Sequence, residues 1–184
     1  MEEIAPKVWK LNVDSNVYFL DLDEKIVIDT GPPNYQQEVM VELGRVVNLE
    51  EIEKVVFTHL HYDHIGNFDL FPNAEFYTSE EEIAFFNKDK SGAILDSEVV
   101  EKFNVKLLPL KKLEGFDIIK TPGHTIGSFC LFYKKDKILF TGDTLFRNGY
   151  GRLDLPSSVL DKMEDSLKLI EKIDYMILAP GHDY

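Results

Sequence analysis

The segment Thr58-His59-Leu60-His61-Tyr62-Asp63-His64 places four metal-ligating side chains, His59, His61, Asp63 and His64, within six residues. Imidazole–zinc bonds are short, about 2.0–2.1 Å, so several imidazoles must be aimed at one point by a firmly held loop. Asp63 adds a hard anionic oxygen beside the nitrogen donors. The chain has five histidines in all, and the other two are His124, in Thr121-Pro122-Gly123-His124-Thr125, and His182, in Pro180-Gly181-His182-Asp183. Both follow a Pro-Gly turn that itself follows an apolar run. One histidine on a loop is usually a surface residue or a satisfied core residue. Three in six residues beside an aspartate do not fit that reading, and no histidine is left for ordinary surface use. The residues imply a metal site.

The elements that must hold this site can be read from apolar periodicity. Val55-Val56-Phe57 is short, β-branched and aromatic, so it reads as the buried strand, over Lys54 to Phe57, that delivers the cluster. Upstream, Val8 to Val13, Val17 to Leu20 and Lys25 to Ile28 read as strands, the last two joined as a hairpin. Asp29-Thr30-Gly31-Pro32-Pro33 is a sharp stop. Apolar residues at helical spacing (Val39, Met40, Leu43, Val46, Val47) predict a helix from Tyr35 to Val47. Ile65 to Phe71 starts a short helix, and Ala74 to Tyr77 is a further strand. Ser79 reads as a helix N-cap, with Glu80, Glu81 and Glu82 as the solvated first turn. Asn87 to Ser97, with Lys-Asp-Lys-Ser-Gly, reads as a mobile surface segment that could act as a lid. Val105 to Leu110 and Phe116 to Ile119 are strands. Ser128 to Tyr133 and Lys137 to Phe140 form a hairpin running into Thr141-Gly142-Asp143-Thr144. Ser157 to Ile173 is a helix with Leu160, Met163, Leu167 and Ile170 on one face, and Tyr175 to Leu178 is the last strand.

A chain of 184 residues with 44% apolar and 29% charged residues is expected to form one soluble globular domain over 1–184. Two sheets with outer helices are the simplest arrangement of this many strands and hairpins. The net charge of −13 disfavours nucleic-acid backbones. The single cysteine, Cys130, lies in an apolar run and reads as a buried structural thiol. The N-terminus lacks the basic and apolar regions of a signal peptide, and no apolar run reaches membrane-spanning length, so the expected compartment is the cytoplasm.

His59-x-His61-x-Asp63-His64, followed by His124, by Asp143 in Gly-Asp-Thr and by a final Gly-His182, resembles the metallo-β-lactamase superfamily over essentially the whole chain. Ile28-Asp29-Thr30-Gly31 resembles the turn after that family's second strand. The resemblance implies an α+β fold, a four-layer αββα sandwich, with a dinuclear site at the sheet edges. It implies that His59, His61 and His124 hold one metal, that Asp63, His64 and His182 hold the other, and that Asp143 bridges them. Zinc is the expected metal, with iron or manganese as alternatives. Gly142 to Phe146 and Gly149 to Asp154 are similar to the glyoxalase II branch and its persulfide dioxygenase relatives. Two departures from glyoxalase II stand out. That family usually carries a C-terminal helical domain, whereas this sequence ends at Tyr184, and Tyr150 takes the place of a small residue or cysteine.

The chemistry so implied is hydrolysis of a thioester or ester by a metal-bridging hydroxide, with Asp63 and Asp143 as catalytic carboxylates. Tyr150 and Arg152 are candidate substrate contacts, although Arg152 is at least as well explained by pairing with Asp154. Tyr62 points either to substrate or into packing. Asp29 is either a turn cap or the outer partner of a ligand imidazole. The expected partner is a small thioester or ester. The alternative within the resemblance is a mononuclear iron enzyme using His59, His124 and Asp143 on persulfides.

Overall fold

The computed structural model describes residues 1–184. One sheet holds seven strands in chain order: β1 (Glu2–Ala5), β2 (Val8–Val13), β3 (Ser15–Asp21), β4 (Lys25–Ile28), β5 (Lys54–Val56), β6 (Glu75–Thr78) and β7 (Leu107–Pro109). The pairs from β1 to β4 are antiparallel, and those from β4 to β7 are parallel. The second sheet has four strands. They are β8 (Phe116–Lys120), β9 (Phe129–Tyr133), β10 (Ile138–Gly142) and β11 (Ile177–Pro180). β8, β9 and β10 pair antiparallel, and β10 and β11 parallel.

The alternation along β3 explains the layering. Val17 and Phe19 face one way, into a core shared with Val39 and Leu43 of α1 (Gln36–Leu43), Ile94 of α4 (Lys90–Ile94) and Val99 of α5 (Ser97–Lys102). Tyr18 and Leu20 face the other way, into a core shared with Leu131, Ile138 and Phe140 of the second sheet. Strands buried on both faces read as unbroken apolar runs, which is why β3 shows no polar alternation. On the far side of the second sheet, Cys130 and Leu139 meet Ile170 of α6 (Leu160–Ile170). Helix, sheet, sheet and helix therefore stack as a four-layer αββα sandwich. Burial pushes the Cys130 thiol up to about 12, which keeps it an inert apolar group.

Several sequence expectations need correction. Of the residues expected to form a mobile lid, Asn87 and Lys88 end the helix Glu80–Lys88, Lys90 to Ile94 form α4 and Ser97 starts α5, with Gly92, Ala93 and Ile94 buried. Asp89 and Asp96 cap these two helices by accepting from the Gly92 and Val99 N–H groups, each at 2.9 Å. The first helix stops at Leu43, Met40 and Val46 are exposed, and Val39, Leu43 and, beyond the helix end, Val47 serve the core. α6 starts at Leu160, and that leucine is exposed rather than on the buried face; Ser166 is buried between Met163 and Ile170. Glu82 is not solvated: it is 1% exposed. No helix is long and apolar enough to cross a membrane.

Candidate metal centre

Strand direction gathers the site. β4, β5 and β6 run parallel, and β8 runs parallel to β10 and β11, so each set ends along one edge of its sheet. Asp29 follows β4, and the segment of His59 and His61, with α2 (Tyr62–Ile65), follows β5. His124 follows β8, Asp143 follows β10, and His182 follows β11. All seven residues singled out in the sequence (His59, His61, Asp63, His64, His124, Asp143 and His182) meet at this edge. Three groups of ligating atoms lie mutually within 4.8 Å: His59, His61 and His124; His59, His64 and Asp143; and Asp63, His64 and His182. The approach is tight. A Cβ on Gly181 would collide with Asp143 Oδ1, so the turn before His182 requires glycine.

Each histidine spends one ring nitrogen on the protein and presents the other to the site. His64 Nδ1 lies 2.9 Å from Asp29 Oδ2. The His59 Nδ1–H is held at 3.1 Å by Thr58 Oγ1, which itself donates to Asp29 Oδ2 at 2.8 Å. His124 Nδ1 donates to the Arg152 carbonyl at 2.8 Å and His182 Nδ1 to the Asp14 carbonyl at 3.0 Å. His61 is reversed, with Nε2 3.3 Å from Ser157 Oγ and Nδ1 turned inward, 2.9 Å from His124 Nε2. Outer partners of this kind fix the ring orientation and set which nitrogen faces the site. Asp29 also accepts from the Thr58 N–H at 2.9 Å. It therefore ties the turn after β4 to the segment after β5 and supports two imidazoles, His64 directly and His59 through Thr58, so its contacts are those of an outer partner and not of a cap on its own turn.

Three of the inner atoms lack protein partners. His59 Nε2, His64 Nε2 and Asp143 Oδ1 are buried with no hydrogen bond. His64 Nε2 and Asp143 Oδ1 lie only 3.2 Å apart without hydrogen-bond geometry. Orphaned buried polar atoms are costly. Nitrogen and carboxylate donors facing one space are what divalent cations bind, so the residues present fit such ions. Burial holds His61 down at about 3 and lowers His59 and His124 as well. Burial also opposes protonation of His64, but Asp143, Asp63 and Asp29 outweigh it and raise His64 well above the ordinary value. His182 too is raised against the pull of burial, mainly by its hydrogen bond to Asp63. Asp143 and Asp63, despite burial, are held below the ordinary carboxylate range, with the His64 charge the main opposing cause.

The centre forms the floor of a cavity of ≈ 420 Å³ whose wall includes Tyr62, Leu95, Phe146, Tyr150, Leu155 and Tyr184. Tyr62 and Tyr150 are both partly exposed and face this space. Arg152 also reaches it, but its guanidinium is paired with the Asp154 carboxylate at 2.8 and 2.9 Å. Its backbone carbonyl, rather than its charge, touches the centre. Thr58, Ser157 and Glu82 are contributors that the sequence does not mark as site residues. Thr58 carries a signal, since it opens the histidine segment. Ser157 and Glu82 lie far along the chain and carry none.

A two-sheet αββα sandwich with a histidine–aspartate cluster at its strand ends defines a class of metal-binding proteins. The profile of the metallo-beta-lactamase superfamily matches residues 12–182, and the chain belongs to that superfamily. It is 31% identical over 193 residues to a probable metallo-hydrolase of Methanocaldococcus jannaschii, covering 95% of this chain and 92% of that protein. It is 30% identical over 190 residues to a hydroxyacylglutathione hydrolase of Francisella tularensis subsp. novicida, covering 97% of this chain and 67% of that one. Among solved structures, a metallo-beta-lactamase family protein of Thermus thermophilus aligns with a TM-score of 0.80 at 19% identity, over 98% of this chain and 75% of that one. A protein solved in a di-iron-bound form aligns with a TM-score of 0.77 at 23% identity, over 96% and 92%. At these identities the two structures speak for the fold.

Proposed function

We propose that residues 1–184 act as one domain and as a dinuclear metal-dependent hydrolase of small thioesters or related esters, similar in chemistry to glyoxalase II. The observation that carries this reading is the convergence of seven donor residues on one space, five of them histidines whose outer nitrogens are held by the protein. His59, His61 and His124 form one ligand set, Asp63, His64 and His182 the other, and Asp143 stands between them. Zinc suits the nitrogen-rich set best, and iron and manganese suit the same donors; a structural neighbour is known in a di-iron form. Two such cations, when bound, supply an activated water and a Lewis acid for a carbonyl oxygen.

The chain's own residues do the remaining work. Asp143 reaches both sets, lying 3.2 Å from His64 and 3.4 Å from His124. Its low pKa keeps it an anion that accepts hydrogen bonds or binds cations. Asp63, 3.2 Å from His182, lines the cavity and is placed to orient an attacking water through its second oxygen. Tyr62, Tyr150, Phe146 and the two leucines present an aromatic and apolar wall to the acyl or thiol part of the substrate. With Arg152 already paired, this wall favours uncharged substrates over a strongly anionic thiol carrier. The acidic chain favours small molecules over nucleic acid, and the cytoplasm is the proposed compartment.

The test is metal content per chain, on protein purified without oxygen or chelator, alongside hydrolysis of a panel of charged and uncharged acyl thioesters. Close to two metals and thioester cleavage support the reading. One iron per chain with oxygen uptake on a persulfide would replace it with sulfur oxidation. Metal-free protein with no hydrolysis after reconstitution would overturn it.

A further inference from the structure

Glu82 sits in the first turn of α3 (Glu80–Lys88), three residues after the N-cap Ser79, whose hydroxyl accepts from the Glu82 N–H at 3.1 Å. A glutamate at this position ordinarily folds back onto the cap residue's own N–H. Here it does not. Its Oε2 accepts from the Leu60 N–H at 3.1 Å. Its Oε1 accepts from the Gly127 N–H at 3.1 Å and from the Thr125 hydroxyl. Leu60 lies between His59 and His61, and Thr125 follows His124. The two oxygens of one side chain therefore grip the two loops that carry the three-histidine set, one oxygen per loop, without touching any of the histidines.

The surroundings are built for this grip. Ser79 Oγ donates to the Gly127 carbonyl at 2.7 Å, so the start of α3 docks on the same loop as the carboxylate. Gly127 leaves room, because a Cβ there would collide with Glu82 N and Ser79 Oγ. No lysine or arginine pairs with Glu82; Lys120, the basic neighbour on this face, is paired with Glu81. A buried carboxylate without a counter-ion is costly. Burial accordingly raises the Glu82 carboxyl despite three accepted hydrogen bonds. A neutral side chain would avoid that cost but could not replace the contacts. Glutamine has the same length and only one acceptor, so its amide N–H would face the N–H of either Leu60 or Gly127.

We propose that Glu82 is a positioning residue for the His59–His61–His124 set, clamping the loop after β5 to the loop after β8 so that the three inner nitrogens stay within reach of one cation. This inference rests on the metal-centre reading above. The test uses the full chain loaded with zinc and titrated against a chromophoric chelator, which resolves two dissociation constants. His61→Ala identifies the constant belonging to the three-histidine set, and Asp63→Asn identifies the other. Glu82→Gln is expected to weaken the first by roughly 10–100-fold, the range for lost outer-shell partners, and to leave the second within about twofold. In the His61→Ala background, Glu82→Gln should add no further loss. In metal-free protein the Leu60 and Gly127 amides should exchange hydrogen faster together. Ile170→Val, in the α6 contact, controls for general destabilisation and should move neither constant. Thr125→Val, which removes one arm only, should give a smaller loss of the same sign if Glu82→Gln does not fold. Equal weakening of both constants, or no weakening of the first, overturns the clamp. Wild-type protein that fails to bind two metals overturns the dinuclear reading instead.

Discussion

The two halves of the centre are held in opposite ways. His59, His61 and His124 lean on neutral groups, namely Thr58, Ser157 and the Arg152 carbonyl, and all three are kept neutral by burial. His64 and His182 face the carboxylates of Asp63 and Asp143, with Asp29 behind His64, and both hold protons more tightly than a free imidazole. One half is a set of ready lone pairs. The other is a charge-compensated cluster in which protons occupy the place a cation would take. The difference teaches that one fold can prepare two neighbouring sites for different costs of loading. Under the proposed dinuclear reading, the first would load with little proton loss and the second would exchange protons for metal.

The strongest way to break this comparison is to remove what the halves share. Asp143→Ala should abolish hydrolysis and lower metal content below two per chain while the far-UV circular dichroism stays native-like. His61→Ala should also abolish hydrolysis but spare the metal of the other half. Near-normal turnover by either variant contradicts a shared dinuclear centre. Next is pH. His64 and His182 have raised values, so above the ordinary 6.5 they still carry protons that a metal must displace. Affinity of that half should therefore climb with pH through their folded values. Affinity of the three-histidine half, with His61 near 3, should be flat above 6.5. Calorimetry in buffers of different ionisation heat would show proton release with one equivalent of metal and not the other. The same signs apply to metal-free stability. Stabilisation from His64 and His182 is full below 6.5 and is lost as pH rises through their folded values, while the lowered histidines destabilise the fold as pH falls below 6.5. The metal-free melting temperature should therefore peak near pH 6.5, the ordinary imidazole value.

Asp29→Asn sharpens the comparison further. It removes the anion behind His64 directly, and the support of His59 only through Thr58. Metal affinity should fall by roughly 10–100-fold at the carboxylate half, and less at the other, as read by chelator competition. The smallest effect is expected from Ser157→Ala, whose single bond to His61 is long. A net contribution of about 1 kcal/mol corresponds to about fivefold in the affinity of the three-histidine set.

Much of this is legible in the sequence because metal ligands must be particular residue types at strand ends, and strands declare themselves by apolar runs. The number of strands and hairpins is enough to imply two sheets, and the unbroken apolar runs Val17 to Leu20 and Phe129 to Tyr133 are what strands covered on both faces present. Glu82 is not legible. Beside Glu80 and Glu81 it reads as one more charge in a solvated first turn, and nothing local reveals that two distant loops turn their N–H groups towards it. The α4–α5 region departs from its polar appearance for a related reason. Lys-Asp-Lys-Ser-Gly is hydrophilic, yet Asp89 and Asp96 are caps, and the short helices they start are fixed by burial of Ile94 and Val99 against the first sheet. Leu160 shows the converse: an apolar residue in phase with its helix that lies one turn before anything covers it.

The shared direction of the strands also divides the labour between the two rims of the sandwich. Every proposed ligand emerges at one rim, while the turns Leu22 to Glu24 and Lys134 to Lys137 lie together at the opposite one, beside a cleft of ≈ 820 Å³. Those turns touch no ligand and no ligand's partner. A tag, a fused domain or a longer loop grafted there would ride on the scaffold without disturbing the chemistry, which makes the far rim the natural handle for immobilising or elaborating this protein.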